Sequence, residues 1–176
     1  ANNTQDFFTR INVQLGLNLE VIDNQEEAQL AFLGCSALLK EETQHAIVFD
    51  IGGGSTEFMW IDAQKANQAG LDMRQKREAI EDWVSIDSGV MNLADHFGGN
   101  RFADLAYGDM VRYMAKKLEA FSQRNAIAQA LQTKKIQLLS TSGTVTTLAA
   151  VGLGLARYER AQIDGISLPV ETLEQA

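Results

Sequence analysis

The sequence predicts an α/β domain built on a mixed sheet, and three observations lead there. Compact or alternating apolar runs at 46–49, 58–60, 80–86 and 136–139 read as strands. Apolar stripes at three- and four-residue steps read as helices before and between them. Small-residue turns follow the first and last of these runs, where strands would end. The order is strand, strand, strand, helices, strand, helix, which suits a mixed sheet flanked by helices.

In chain order, residues 7–19 mix apolar and polar positions without a clean stop, and Leu17, Leu19 and Val21 alternate as a short strand would. Asp23 or Asn24 can cap a helix, since Glu26 and Glu27 lie three residues beyond them at the capping-box spacing. Ala28, Ala31, Phe32, Cys35, Leu38 and Leu39 form its buried stripe, and an end near Lys40 is expected. The strand at 46–49 stops at Asp50, before three glycines. Residues 63–70 are polar and read as a loop. Val90, Leu93, Ala94 and Phe97 give a short helix closed by Gly98 and Gly99. Tyr107, Val111, Met114, Leu118 and Phe121 give the longest regular stripe. A helix through Leu148, Ala149 and Val151 follows the last strand, and Pro169 starts another.

Composition narrows the function. The chain has 176 residues, enough for one domain or a domain with pieces of its neighbours, and can bury roughly two-thirds of its unfolded surface. Its 23 acidic residues against 15 basic ones give a formal charge of -8, which argues against DNA or general nucleic-acid binding. The lone Cys35 excludes an internal disulfide framework and a Cys-rich zinc site, so a reducing, cytoplasmic setting is expected. No apolar run approaches the roughly 20 residues of a membrane span.

The strongest local signal is Phe49-Asp50-Ile51-Gly52-Gly53-Gly54-Ser55-Thr56-Glu57. Three glycines let the backbone approach a ligand, so that successive amides can converge on phosphate oxygens, and the Ser55 and Thr56 hydroxyls add donors. If the flanking strands pair, Asp50 and Glu57 lie at the two sides of the turn, where carboxylates can hold Mg2+ directly or through water. The alternative is a glycine-rich hairpin in which Asp50 is an ordinary turn acceptor. Ser142, Gly143 and Thr144 lie between a strand and a helix, where hydroxyls and free amides can hold an anion, or where a hydroxyl simply caps the helix. Glu27 is a candidate base, or simply an acid that favours a helix N-terminus. His45 and His96 have no spaced metal partners, and Arg74, Lys76 and Arg77 read as a solvated basic loop.

Together these segments resemble the Ppx/GppA family of exopolyphosphatases and guanosine pentaphosphate phosphohydrolases. The resemblance is carried by Ile22-Asp23-Asn24-Gln25-Glu26-Glu27-Ala28, the glycine element, Ser142-Gly143-Thr144 with Leu148-Ala149-Ala150, and Asp164-Gly165-Ile166-Ser167-Leu168, in family order over about residues 1–173. It implies one lobe of an actin-like fold made of two ribonuclease-H-like domains, with the active site in the cleft between them. Residues 1–22 then correspond to the end of the upstream domain, 23–165 to the second domain and 166–176 to the start of a C-terminal helical segment. Glu27 corresponds to the family's general base, Asp50 and Glu57 stand near Mg2+ or the attacking water, and the two turns hold phosphates.

The implied partners are polyphosphate or guanosine penta- or tetraphosphate, the upstream domain of the same chain, and a second copy in a homodimer. The expected reaction is Mg2+-dependent release of orthophosphate, which these 176 residues alone would not perform. An ATP-dependent kinase and a non-catalytic phosphate sensor are the alternatives. Three positions depart from the family pattern. Gln29 stands where the family has Arg and Asn24 where it has Gly. Asn92 ends a Gly89-Val90-Met91-Asn92 segment whose family counterpart ends in Arg, so that an amide replaces a phosphate-facing cation.

Overall fold

A computed structural model describes residues 3–70, 72–98 and 103–174. Four strands form one sheet in the order β3-β2-β1-β4: β1 (His45–Ile51), β2 (Thr56–Asp62), β3 (Ile80–Ile86) and β4 (Ile136–Ser140). The first three run antiparallel as a meander, and β4 returns parallel beside β1. A parallel neighbour needs a crossover, here supplied by helices between β3 and β4. The mixed α/β sheet expected from the sequence is the observed fold.

The helices are α1 (Thr4–Leu15), α2 (Asn24–Cys35), α3 (Ala63–Gln68), α4 (Met73–Arg77), α5 (Val90–His96), α6 (Ala103–Arg124), α7 (Ile127–Thr133), α8 (Gly143–Gly152), α9 (Arg160–Ile163) and α10 (Val170–Glu174). Strand alternation divides the core between the two sheet faces. On one face Ala46 and Val48 of β1 and Met59 and Ile61 of β2 are fully buried against Ala28, Phe32 and Cys35 of α2. Burying a side chain such as Phe32 contributes about 1.5–3 kcal/mol. On the other face Trp60 packs with Phe121 of α6 and with Ile127 and Ala130 of α7. Among the described residues, no helix is long and apolar enough to cross a membrane.

Several elements differ from the sequence expectation. Residues 17–21 form no strand: Leu17, Leu19 and Val21 are exposed on the link after α1 and pair with no strand among the described residues. The mixed pattern before them is α1 itself, which buries no residue against the rest of the chain and ends at Gly16 with φ 68°. Residues 63–70 are mostly helix rather than loop, because the Asp62 side chain accepts from Lys65 N and caps α3. The helix after Asp23 stops at Cys35 and tightens into a 3-10 turn at Ser36–Leu38. Strand β1 runs through Asp50 to Ile51 instead of stopping at the acid. The turn at the end of α5 uses Gly98, at φ 92°, while Gly99 lies outside the described residues.

Candidate active site

The strand register sets out the acids. Down the α2 face, β1 and β2 pair Ala46 with Ile61, Val48 with Met59 and then Asp50 with Glu57, so an apolar ladder ends in two carboxylates directly opposite each other. Ser85 of β3 is the partner of Glu57 on its other side. Asp50, Glu57 and Ser85 therefore form one polar row across three strands, on the same face of the sheet.

Helix α2 lies on that face with Phe32 and Cys35 over the apolar part, which brings its first turn toward the polar row. Asp23 is the cap, accepting from Glu26 N at 2.8 Å. The other cap candidate, Asn24, instead donates to Ser85 Oγ at 2.9 Å. One turn along, the Glu27 carboxyl is pushed above the usual range, first by partial desolvation and then by the negative charges of Glu57 and Asp50. Asp50 is raised for the same reasons, burial first and Glu57 second. Glu57 is 2% exposed and accepts from Ser85 Oγ at 2.8 Å.

The glycine turn is held from behind. Val90 N donates to Gly52 O at 3.0 Å, Met91 N to Gly53 O at 2.9 Å and Asn92 Nδ2 to Gly54 O at 2.7 Å. In a trans peptide the N–H lies opposite the C=O, so drawing these three carbonyls toward α5 turns the amides of Gly53, Gly54 and Ser55 the other way. Amides turned to one side in this way are what an anion nest requires. Gly89 makes it fit: a Cβ there would sit 2.4 Å from Gly52 O and 2.5 Å from Gly53 C. At Gly54 a Cβ would meet nothing within 4 Å, so the front of the turn is open.

Some hydroxyls expected to face phosphate are committed elsewhere. Thr56 is 2% exposed and donates to Ser88 O at 2.7 Å, because its side chain falls on the packed side of β2. Asn92 faces the turn rather than the cleft, with its amide on Gly54 O and its oxygen accepting from Gly89 N at 2.6 Å. Ser142 is buried and caps α8, accepting from Val145 N at 3.2 Å. Thr144 donates to Ile51 O at 3.0 Å, tying this second turn to the start of the glycine turn. What Ser142, Gly143 and Thr144 offer a ligand is the amide pair of Gly143 and Thr144, in the unsatisfied first turn of α8.

The residues fit Mg2+ in a limited way. Among the described residues no group of three or more His, Cys, Asp or Glu could enclose an ion. Mg2+ needs no such cage, since one or two carboxylates with waters and substrate phosphates suffice. Asp50 and Glu57 are two carboxylates in register, and both contribute negative charge at Glu27. The histidines lie elsewhere, His45 stacked on Trp60 and His96 on Tyr113. Cys35 is buried in the core.

Ser85 and Gly89 are site-building residues that sequence reasoning did not single out. Ser85 looked like any strand residue, since its pairing with Glu57 depends on register. Gly89 owes its role to close packing against the backbone of Gly52, Gly53 and Gly54, which no local sequence pattern marks.

A mixed four-stranded sheet flanked by helices, with β4 parallel beside β1, is the fold of one lobe of the actin-like class. The model of the Ppx/GppA phosphatase family matches residues 1–164, and the chain belongs to that family. It superimposes on the Ppx/GppA enzyme of Aquifex aeolicus with a TM-score of 0.72 and 22% identity, over 99% of this chain and 50% of that one. An exopolyphosphatase-like protein aligns with a TM-score of 0.66 and 25% identity, over 98% of this chain and 50% of the other. A bifunctional 3-dehydroquinate synthase/phosphatase of Fusobacterium nucleatum is 23% identical over 93% of this chain and 22% of its own length. The chain thus spans about half the length of these solved relatives and less than a quarter of that curated one.

Proposed function

We propose that the protein containing this lobe hydrolyses terminal phosphoanhydride bonds and releases orthophosphate, from inorganic polyphosphate or from guanosine pentaphosphate. The observation that carries the reading is the placement of Glu27, its carboxyl raised by desolvation and by the acid pair, on the helix that packs over Asp50 and Glu57. A base works best when its pKa lies closer to the operating pH, and these surroundings move Glu27 in that direction.

Phosphoryl transfer to water asks little covalent chemistry of the protein. It asks for a held phosphate, an oriented water and charge stabilisation. The amides of Gly53, Gly54 and Ser55 and those of Gly143 and Thr144 bind the phosphate oxygens without any cationic side chain. Glu27 orients the attacking water and takes its proton. Asp50 and Glu57 would hold Mg2+, which when bound would supply the positive charge that this lobe, of net charge -8, lacks. The opposite wall of the cleft belongs to an upstream domain of the same polypeptide, so this lobe by itself binds phosphate weakly and does not turn over.

Orthophosphate release by the full-length protein, measured in parallel on polyphosphate and on guanosine pentaphosphate with and without a chelator, tests the reading. Release from either substrate that stops on chelation is expected. Transfer of phosphate to an acceptor, or binding of both compounds with no orthophosphate formed, would refute it.

A further inference from the structure

The Glu57 side chain is 2% exposed, and its hydrogen-bond partner is the Ser85 hydroxyl, with Oγ to Oε1 at 2.8 Å. Ser85 Oγ in turn accepts from Asn24 Nδ2 at 2.9 Å, across 61 residues of chain. The chemistry of the three groups gives this chain of bonds a direction. An amide nitrogen can only donate and a hydroxyl carries one proton, so with the Asn24 amide pointing at its oxygen Ser85 gives its proton to Glu57. Glu57 is thereby fixed as an acceptor through Oε1, with no hydrogen-bond partner for Oε2 among the described residues. Asn24 also stands at the first position of α2, three residues before Glu27, so the same bonds join the base-bearing helix to the acid row.

We infer that Ser85 and Asn24 are positioning residues, forming a one-way hydrogen-bond relay that sets the orientation of the Glu57 carboxylate toward a divalent cation. Asn24 is free for this task because Asp23 takes the cap. A glycine at position 24 could supply no such donor. The inference rests on the proposed function for the use to which Glu57 is put, though not for the relay itself.

The test uses the full-length protein with Mn2+ as a probe of the oxygen-ligand site, read by electron paramagnetic resonance without substrate, alongside orthophosphate release. Ser85→Ala should lower Mn2+ affinity about 10-fold, the low end of what losing a hydrogen-bond partner of a metal ligand costs. It should lower kcat by a similar factor and leave KM within about twofold. Ser85→Thr keeps the hydroxyl on a side chain suited to a strand and should restore both. Asn24→Ala should weaken Mn2+ binding about threefold in the wild-type background and have no further effect on Ser85→Ala, because Asn24 acts only through Ser85. Asn24 is exposed and Ala suits a first helical position, so this variant reports even if Ser85→Ala does not fold.

Unchanged Mn2+ affinity in either single variant, or an Asn24→Ala loss that persists in the Ser85→Ala background, overturns the relay. A wild-type protein that binds Mn2+ and shows the predicted pattern but releases no orthophosphate overturns the hydrolase reading and leaves the relay in place.

Discussion

Asp50 and Glu57 stand directly opposite each other across the β1–β2 pair, on the face of the sheet that carries α2. Like charges in that position repel, and a fold selected for stability alone would not place them there. The cost appears as the raised carboxyl of Asp50, whose causes are burial first and Glu57 second.

That cost depends on pH in a definite direction. Folding favours the protonated form of Asp50, so its stabilising contribution is present below the ordinary carboxylate value of about 4 and is lost as pH rises through the raised value. Asp50→Asn should therefore raise Tm by about 2 °C near neutral pH, a shift of the size that a fraction of a kcal/mol produces in a domain this large. At about pH 3.5, where wild-type Asp50 is itself largely protonated, the gain should vanish. Thermal melts at the two pH values check this, and an equal gain at both would contradict it.

Two glycine substitutions should separate the back of the glycine turn from its front. Gly89→Ala drives a Cβ to within 2.4–2.6 Å of backbone atoms of Gly52, Gly53 and Gly54, which cannot give way as a flexible side chain would. It should cost about 1–3 kcal/mol in urea unfolding and abolish phosphate binding. Gly54→Ala meets open space and should leave unfolding nearly unchanged, while its methyl group obstructs a ligand and weakens polyphosphate binding. Equal effects of the two on stability would mean that α5 does not buttress the turn.

Cys35 has a thiol pushed up to about 11, chiefly by burial, and lies 2% exposed in the core under α2. The thiolate is the reactive form, so the native protein should resist iodoacetamide at neutral pH and react only once unfolded. Labelling followed by mass spectrometry, with and without denaturant, checks it. Rapid native labelling would mean that α2 separates readily from the sheet.

Much of this architecture was legible because local chemistry and tertiary structure agree. The apolar runs of β1, β2, β3 and β4, a cap at Asp23 or Asn24 and the glycine turn each carry their own signal, and pairing of the two strands that flank the turn sets Asp50 beside Glu57. The misses share a physical cause. Leu17, Leu19 and Val21 alternate like a strand but pair with no strand among the described residues, which period alone cannot reveal. Asn92, Thr56 and Thr144 have groups suited to phosphate, yet each is spent on a backbone carbonyl of Gly54, Ser88 or Ile51. Composition shows which donors exist, whereas register and loop packing decide where they point. Ser85 was invisible for the same reason, since only the β2–β3 register puts it beside Glu57.

The most direct test of the central claim is orthophosphate release by full-length Glu27→Gln protein, on polyphosphate and on guanosine pentaphosphate. The Glu27 side chain is exposed and makes no hydrogen bond among the described residues, so the substitution should leave the unfolding curve within about 0.5 kcal/mol of wild type. Removing the proposed base should lower turnover by about 10²–10⁴-fold while substrate binding persists. A Glu27→Gln protein that turns over within twofold of wild type would contradict the account.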